Sequence, residues 1–142
     1  MIAYADTSFL AALYLGGPRA DDAIGLLRAA GGRLPLTPLG RLELFNALRL
    51  AAFRGQIRRA QAGALAAAAL ADLAAGTLYP SPSDWFERAE MLSEAHTAEL
   101  GTRSLDVLHV ASALALGADT LLTFDRRQAA LARAAGLRVR PA

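Results

Sequence analysis

The chain has no cysteine and no lysine. Without thiols there is no disulfide framework and no thiolate site for zinc or an iron–sulfur cluster, so any metal would be held by hard oxygen donors, and a reducing compartment fits. Without lysine, the P-loop lysine is excluded, as is the lysine that a phosphoacceptor receiver domain requires. No G-x-G-x-x-G follows a strand, which excludes a dinucleotide-binding turn. The longest apolar stretch, around residues 62–75, is alanine-rich and carries Asp72, and no charged start with an apolar core opens the chain. It therefore reads as soluble and cytoplasmic, with no membrane partner. His96 and His109 read as packed or exposed helix residues rather than bases, and Trp85 as core or interface rather than a base-stacking platform. All 15 basic residues are arginine, and the net charge of +2 permits nucleic-acid binding without arguing for it.

With 142 residues, 54% of them hydrophobic, the chain is long enough to bury a core without staples, and a single domain over 1–142 is expected. Period and punctuation predict strands at 2–5, 34–37, 77–79, 120–124 and 137–139. Helices are predicted at 7–15, 19–30, 38–53, 57–75, 84–100, 104–116 and 126–135, with Pro80-Ser81-Pro82-Ser83 as the break before the fifth. Strands separated by helices imply an α/β fold with a mostly parallel central sheet of four to five strands flanked by helices. The alanine-rich helix suits close packing or an interface.

Four carboxylates end or interrupt apolar runs. Asp6 closes Met1-Ile2-Ala3-Tyr4-Ala5, and Asp125 closes Thr120-Leu121-Leu122-Thr123-Phe124, so both lie at the carboxyl ends of predicted strands, the edge where open α/β sheets bind ligands. Glu43 has Leu39, Asn46, Ala47 and Leu50 as helix-surface neighbours, and Asp106 has Val110 and Ala113. A lone buried carboxylate at such a position is costly unless paired or bound to a cation. If the four converge, two carboxylates about 5 Å apart repel by roughly 3 kcal/mol at an effective dielectric of 20, so a cation is required. All-oxygen ligation selects Mg²⁺ or Mn²⁺, which can activate water toward a phosphodiester.

Asp6-Thr7-Ser8 after the first strand, Glu43 in a leucine-rich helix, the stretch Ser104 to Ala113 around Asp106, and Gly117 to Asp125 together resemble a PIN domain, and the length resembles the VapC-type ribonuclease toxins. The resemblance spans nearly the whole chain. It implies a three-layer PIN-like fold and hydrolytic cleavage of RNA, with Asp6 and Asp106 binding Mg²⁺ directly. Asp125 would assist through a second metal or water, and Glu43 would orient or activate the attacking water. Thr7, Ser8 and Thr123 match polar positions that steady the acids, while Arg126-Arg127-Gln128 offers no further acid. Arg126 and Arg127 are candidates for RNA phosphates. The resemblance also implies a cognate antitoxin packed over the toxin's helices and groove, and a homodimer or higher oligomer.

Structural readings stand beside each of these. Asp6 and Asp125 suit N-caps, Asp106 a charge complementing a helix dipole, and Glu43 a salt bridge to Arg41, Arg49 or Arg103. Arg126 and Arg127 suit a solvated face. At the level of function, the alternatives are a non-catalytic module that binds protein or RNA, and another acidic-pocket enzyme. A phosphatase would begin Asp-x-Asp where this chain has Asp6-Thr7-Ser8.

Overall fold

Turn chemistry sets the element boundaries. In the computed structural model, which describes residues 1–82 and 84–142, the chain runs β1 (Ala3–Ala5), α1 (Thr7–Leu15), α2 (Ala20–Ala29), β2 (Leu34–Leu36), α3 (Pro38–Phe53), α4 (Arg59–Ala75), β3 (Leu78–Pro80), α5 (Phe86–Leu100), α6 (Ser104–Ala115), β4 (Thr120–Leu122), α7 (Arg126–Ala134) and β5 (Arg138–Arg140). The expected elements are present with ends within two residues of the sequence reading; Ser83 lies outside the described residues. Among those described, no helix is long and apolar enough to cross a membrane. The chain divides into two compact units, one formed by Met1–Asp6 with Pro82–Ala142 and the other by Thr7–Ser81.

In the first unit, β1, β4 and β5 form a parallel sheet in the order β1-β4-β5, with Tyr4 opposite Leu121 and Leu121 opposite Val139. These three side chains are buried, as expected where helical crossovers cover a parallel sheet. Residues Asp106 through Ala113 of α6 are all buried, which marks α6 as a helix enclosed on every side rather than an amphipathic surface helix. Polar groups in such a helix must find partners. Ser112 donates to the Leu108 carbonyl at 2.8 Å, and Tyr4 and His109 share a 2.7 Å hydrogen bond.

One edge of this sheet is pinned electrostatically. The Arg138 backbone N–H donates to the Asp119 carbonyl at 3.0 Å, and its guanidinium meets the Asp119 carboxylate at 2.9 Å. The Thr120 hydroxyl and then Arg138 lower the Asp119 carboxyl from its usual 3.8 to about 2. A depressed folded-state pKa stabilises above the unfolded value and is lost as pH falls toward the folded one. Asp119 should thus contribute above pH 3.8 and lose that contribution as the pH drops to about 2. Urea midpoints measured across that window should fall less steeply in Asp119→Asn than in the native chain. The difference is small because the pair is solvent-exposed; an identical pH slope would refute it.

In the second unit, β2 and β3 pair in parallel, with Pro35 opposite Tyr79 and Leu36 opposite Pro80. The five strands thus divide into sheets of three and two instead of one central sheet. The prolines supply a physical reason, since a residue without an N–H cannot donate to a ladder and belongs at a sheet edge. Arg33 reinforces the pair by donating to the Gly76 carbonyl at 2.9 Å and stacking 4.9 Å above the Tyr79 ring. Thr37 then caps α3 by accepting from the Gly40 N–H at 3.0 Å, with Pro38 in the first turn. Gly40 is fitted to this turn, because a Cβ there would stand 3.3 Å from both Leu36 and Thr37 side-chain atoms. Phe9, Leu10, Leu34, Leu44, Leu48 and Leu78 are fully buried in this unit. Tyr14 of α1 donates to Asp72 of α4 at 2.6 Å; burial, and then Asp72, hold its hydroxyl protonated far above the usual phenol range.

Candidate functional site

Three of the four acids fall in the first unit, and each is held by a different device. Asp6 follows β1, is 4% exposed, and donates its backbone N–H to the Leu122 carbonyl at 3.1 Å, extending the β1–β4 ladder by one residue. Its carboxylate accepts from the Thr123 hydroxyl, and the same Thr123 oxygen accepts the Asp125 N–H at 3.0 Å. Thr123 therefore links the acid after one strand to the acid after its neighbour. Asp125 caps α7 as its position suggested, with Oδ1 accepting from the Arg127 and Gln128 N–H groups at 2.8 and 3.1 Å. Capping occupies one oxygen and fixes the direction of the other.

Asp106 sits in the first turn of α6 and is 7% exposed. Its Oδ2 accepts from the Arg103 backbone N–H at 3.0 Å and from Arg103 Nε at 3.1 Å, while Oδ1 meets Nη2 at 3.4 Å. Arg103 Nη2 also reaches Asp125 Oδ2 at 3.5 Å. One guanidinium is thus shared by two carboxylates. Among the described residues, no three His, Asp or Glu side chains are grouped so as to share one ion; the acids are instead linked by a hydroxyl and a guanidinium.

Glu43 belongs to the second unit. It is half-buried on α3, where Thr7, in the first turn of α1, donates to its Oε1 at 2.8 Å. Arg41 and Arg49, considered as salt-bridge partners for it, lie 5.4 and 6.0 Å from the centre of the Phe45 ring. Ser8 is half-buried beside Thr7, and Arg126 and Arg127 are exposed at the start of α7.

Residues 3–134 match the PIN domain family. The chain belongs to that family. The PIN domain is also similar to the crystal structure of VapC20 from Mycobacterium tuberculosis, a toxin described as cleaving the sarcin–ricin loop: the TM-score is 0.69 with 24% identity, over 98% of this chain and 99% of that one. No curated protein sequence matches.

Two features of this PIN domain were passed over in the sequence. Tyr4 lies two residues before Asp6, on the same strand face, and His109 lies one helical turn after Asp106. Their shared hydrogen bond joins β1 to α6 next to the two aspartates, and those spacings were visible in the sequence. Arg103 was weighed only as a partner for Glu43, yet its position three residues before Asp106 is a helix-neighbour spacing that allows the observed pairing.

Proposed function

We propose that this PIN domain is a metal-dependent endoribonuclease that hydrolyses RNA phosphodiesters, and the toxin of a toxin–antitoxin pair. The observation carrying this is that Asp6, Asp106 and Asp125 are tied into one network by Thr123 and Arg103. The donor set fits a hard divalent cation: it is all oxygen, the chain has no thiol, and two of the carboxylates already share one positive group. Asp6 and Asp106 would hold Mg²⁺ or Mn²⁺, with Asp125 assisting. The bound ion would supply charge neutralisation at the scissile phosphate and acidify the attacking water.

The chain's own groups divide the remaining work. Glu43, oriented by the Thr7 hydroxyl, directs the attacking water and takes its proton, with Ser8 steadying the same turn. Arg126 and Arg127 open α7, where the dipole favours anions rather than cations. Holding RNA phosphates there accounts for arginines at positions that are electrostatically unfavourable for the helix alone. We extend the reading to the whole chain as a single domain over 1–142, because the family match runs through both units.

A cognate antitoxin is the proposed protein partner, alongside self-association into a dimer or higher oligomer, all in the cytoplasm. In the second unit, a cavity of about 570 Å³ is lined by Phe45, Leu48, Arg49, Ala52 and Phe53 of α3 and by Ala62 and Ala66 of α4. Phe53 is 87% exposed, a large apolar group for a partner to cover.

The sharing of Arg103 between two acids also favours a second reading, a non-catalytic interaction module in which the guanidinium permanently neutralises them. Purified protein incubated with total cellular RNA in Mg²⁺ and in EDTA separates the two. Cutting in Mg²⁺ that EDTA abolishes is expected. Well-folded protein that neither cuts nor binds Mn²⁺ would support the module.

A further inference from the structure

Arg103 bridges two of the carboxylates that the metal-site reading assigns to a cation. Its guanidinium contacts Asp106 Oδ2 and Oδ1 and Asp125 Oδ2 at 3.1, 3.4 and 3.5 Å. The last two distances are at the long end for hydrogen bonds, so these contacts are weak and exchangeable. The side chain is 62% exposed, against 9% for Asp106 and 34% for Asp125. The Arg103 side chain therefore faces water more than either of these carboxylates does, and Asp106 least of the three. The backbone N–H of Arg103 also donates to Asp106 Oδ2 at 3.0 Å, a contact that does not depend on the guanidinium. Asp106 thus keeps one orienting bond when the side chain departs.

Resting on the metal-site reading above, we propose that Arg103 is the internal counter-ion of Asp106 and Asp125, and that a divalent cation binds by exchange with its guanidinium. In the metal-free protein, the guanidinium screens Asp106 from Asp125 and keeps both facing one point. Loading drives it away, because a guanidinium and a directly bound divalent cation repel one another over the same two carboxylates. Arg103 therefore acts as a positioning residue and as a competitor. Removing it should stabilise the metal complex relative to the metal-free protein, the opposite of what losing a ligand or a purely structural residue would do.

The test is calorimetric titration with Mn²⁺ of the native chain, Arg103→Gln, Arg103→Met and, as a control for simple loss of charge, Arg126→Gln. Melting temperatures in EDTA and in Mn²⁺ accompany each titration. Both Arg103 variants should bind Mn²⁺ about fivefold more tightly, the scale of two partly exposed ion pairs. They should melt slightly lower in EDTA and gain more from Mn²⁺ than the native chain does. Arg126→Gln, which leaves the bridge intact, should tighten binding distinctly less. Unchanged or weaker binding in both Arg103 variants would overturn the exchange, as would equal tightening in Arg126→Gln. If the native chain and the Arg103 variants all fail to bind Mn²⁺, the metal-site reading itself fails and the proposal falls with it. Native binding with no gain in the variants defeats only the exchange.

Discussion

Asp106→Asn should reduce RNA cleavage by about a thousandfold or more, equivalent to ~4 kcal/mol of transition-state stabilisation, while leaving a folded protein. The substitution preserves shape, and the new amide oxygen can still accept from the Arg103 N–H, so the start of α6 keeps its orienting bond. What disappears is the charge of a carboxylate that is 7% exposed. The guanidinium is 62% exposed and keeps its contact with Asp125, so the structural loss is limited to about 1.5–3 kcal/mol for hydrogen bonds to a charged group. A site that depends on carboxylate charge to hold a divalent ion has no such reserve. Single-turnover cleavage measured beside a thermal melt separates the two effects. Activity within tenfold of native in a folded variant would remove Asp106 from the site.

Sequence reasoning located the elements well because their signals are local. The apolar run ending at Asp6, Pro38 after Thr37, and the glycines closing α4 and α5 each act within a few residues. The family resemblance rested on the same kind of signal and agrees with the match over residues 3–134. The division of the strands into two sheets was less legible, since pairing partners such as Leu34 and Leu78 are far apart in the chain. Pro35 and Pro80 nevertheless carried a hint of edge strands. Within the candidate site, burial of Asp6 and Asp106 was readable from their apolar flanks, whereas Glu43 is only half-buried. The identity of each acid's partner was not readable. A guanidinium reaches several directions from one backbone position, so Arg103 could be placed against Asp106 and Asp125 only once α6 and α7 were both in place. Gln128 shows the same limit. It entered the sequence pattern only as a position with no further acid, yet it is 1% exposed with neither amide atom hydrogen-bonded to the described residues.

Thr123→Val tests whether the acids depend on one another through a neutral group. Valine fills the same volume and keeps the β-branched shape suited to the end of a strand, so the change is confined to the hydroxyl. That hydroxyl donates to the Asp6 carboxylate and accepts the Asp125 N–H; its removal takes a donor from a buried charge and an acceptor from a half-buried amide. Each loss costs about 1–3 kcal/mol, so a total of about 2–6 kcal/mol is expected in denaturant unfolding. Metal affinity should fall about 10–100-fold, the usual penalty for losing a group that orients a ligand. Thr123→Ser restores the hydroxyl without the methyl, and should recover most of the metal affinity while regaining only part of the stability. That split is what a linking hydroxyl predicts, since affinity follows the hydrogen bonds and stability also counts burial of the methyl of Thr123, which is 3% exposed. If Val and Ser lose affinity equally, packing rather than the hydroxyl governs the site, and Asp6 and Asp125 are set independently by their own strands.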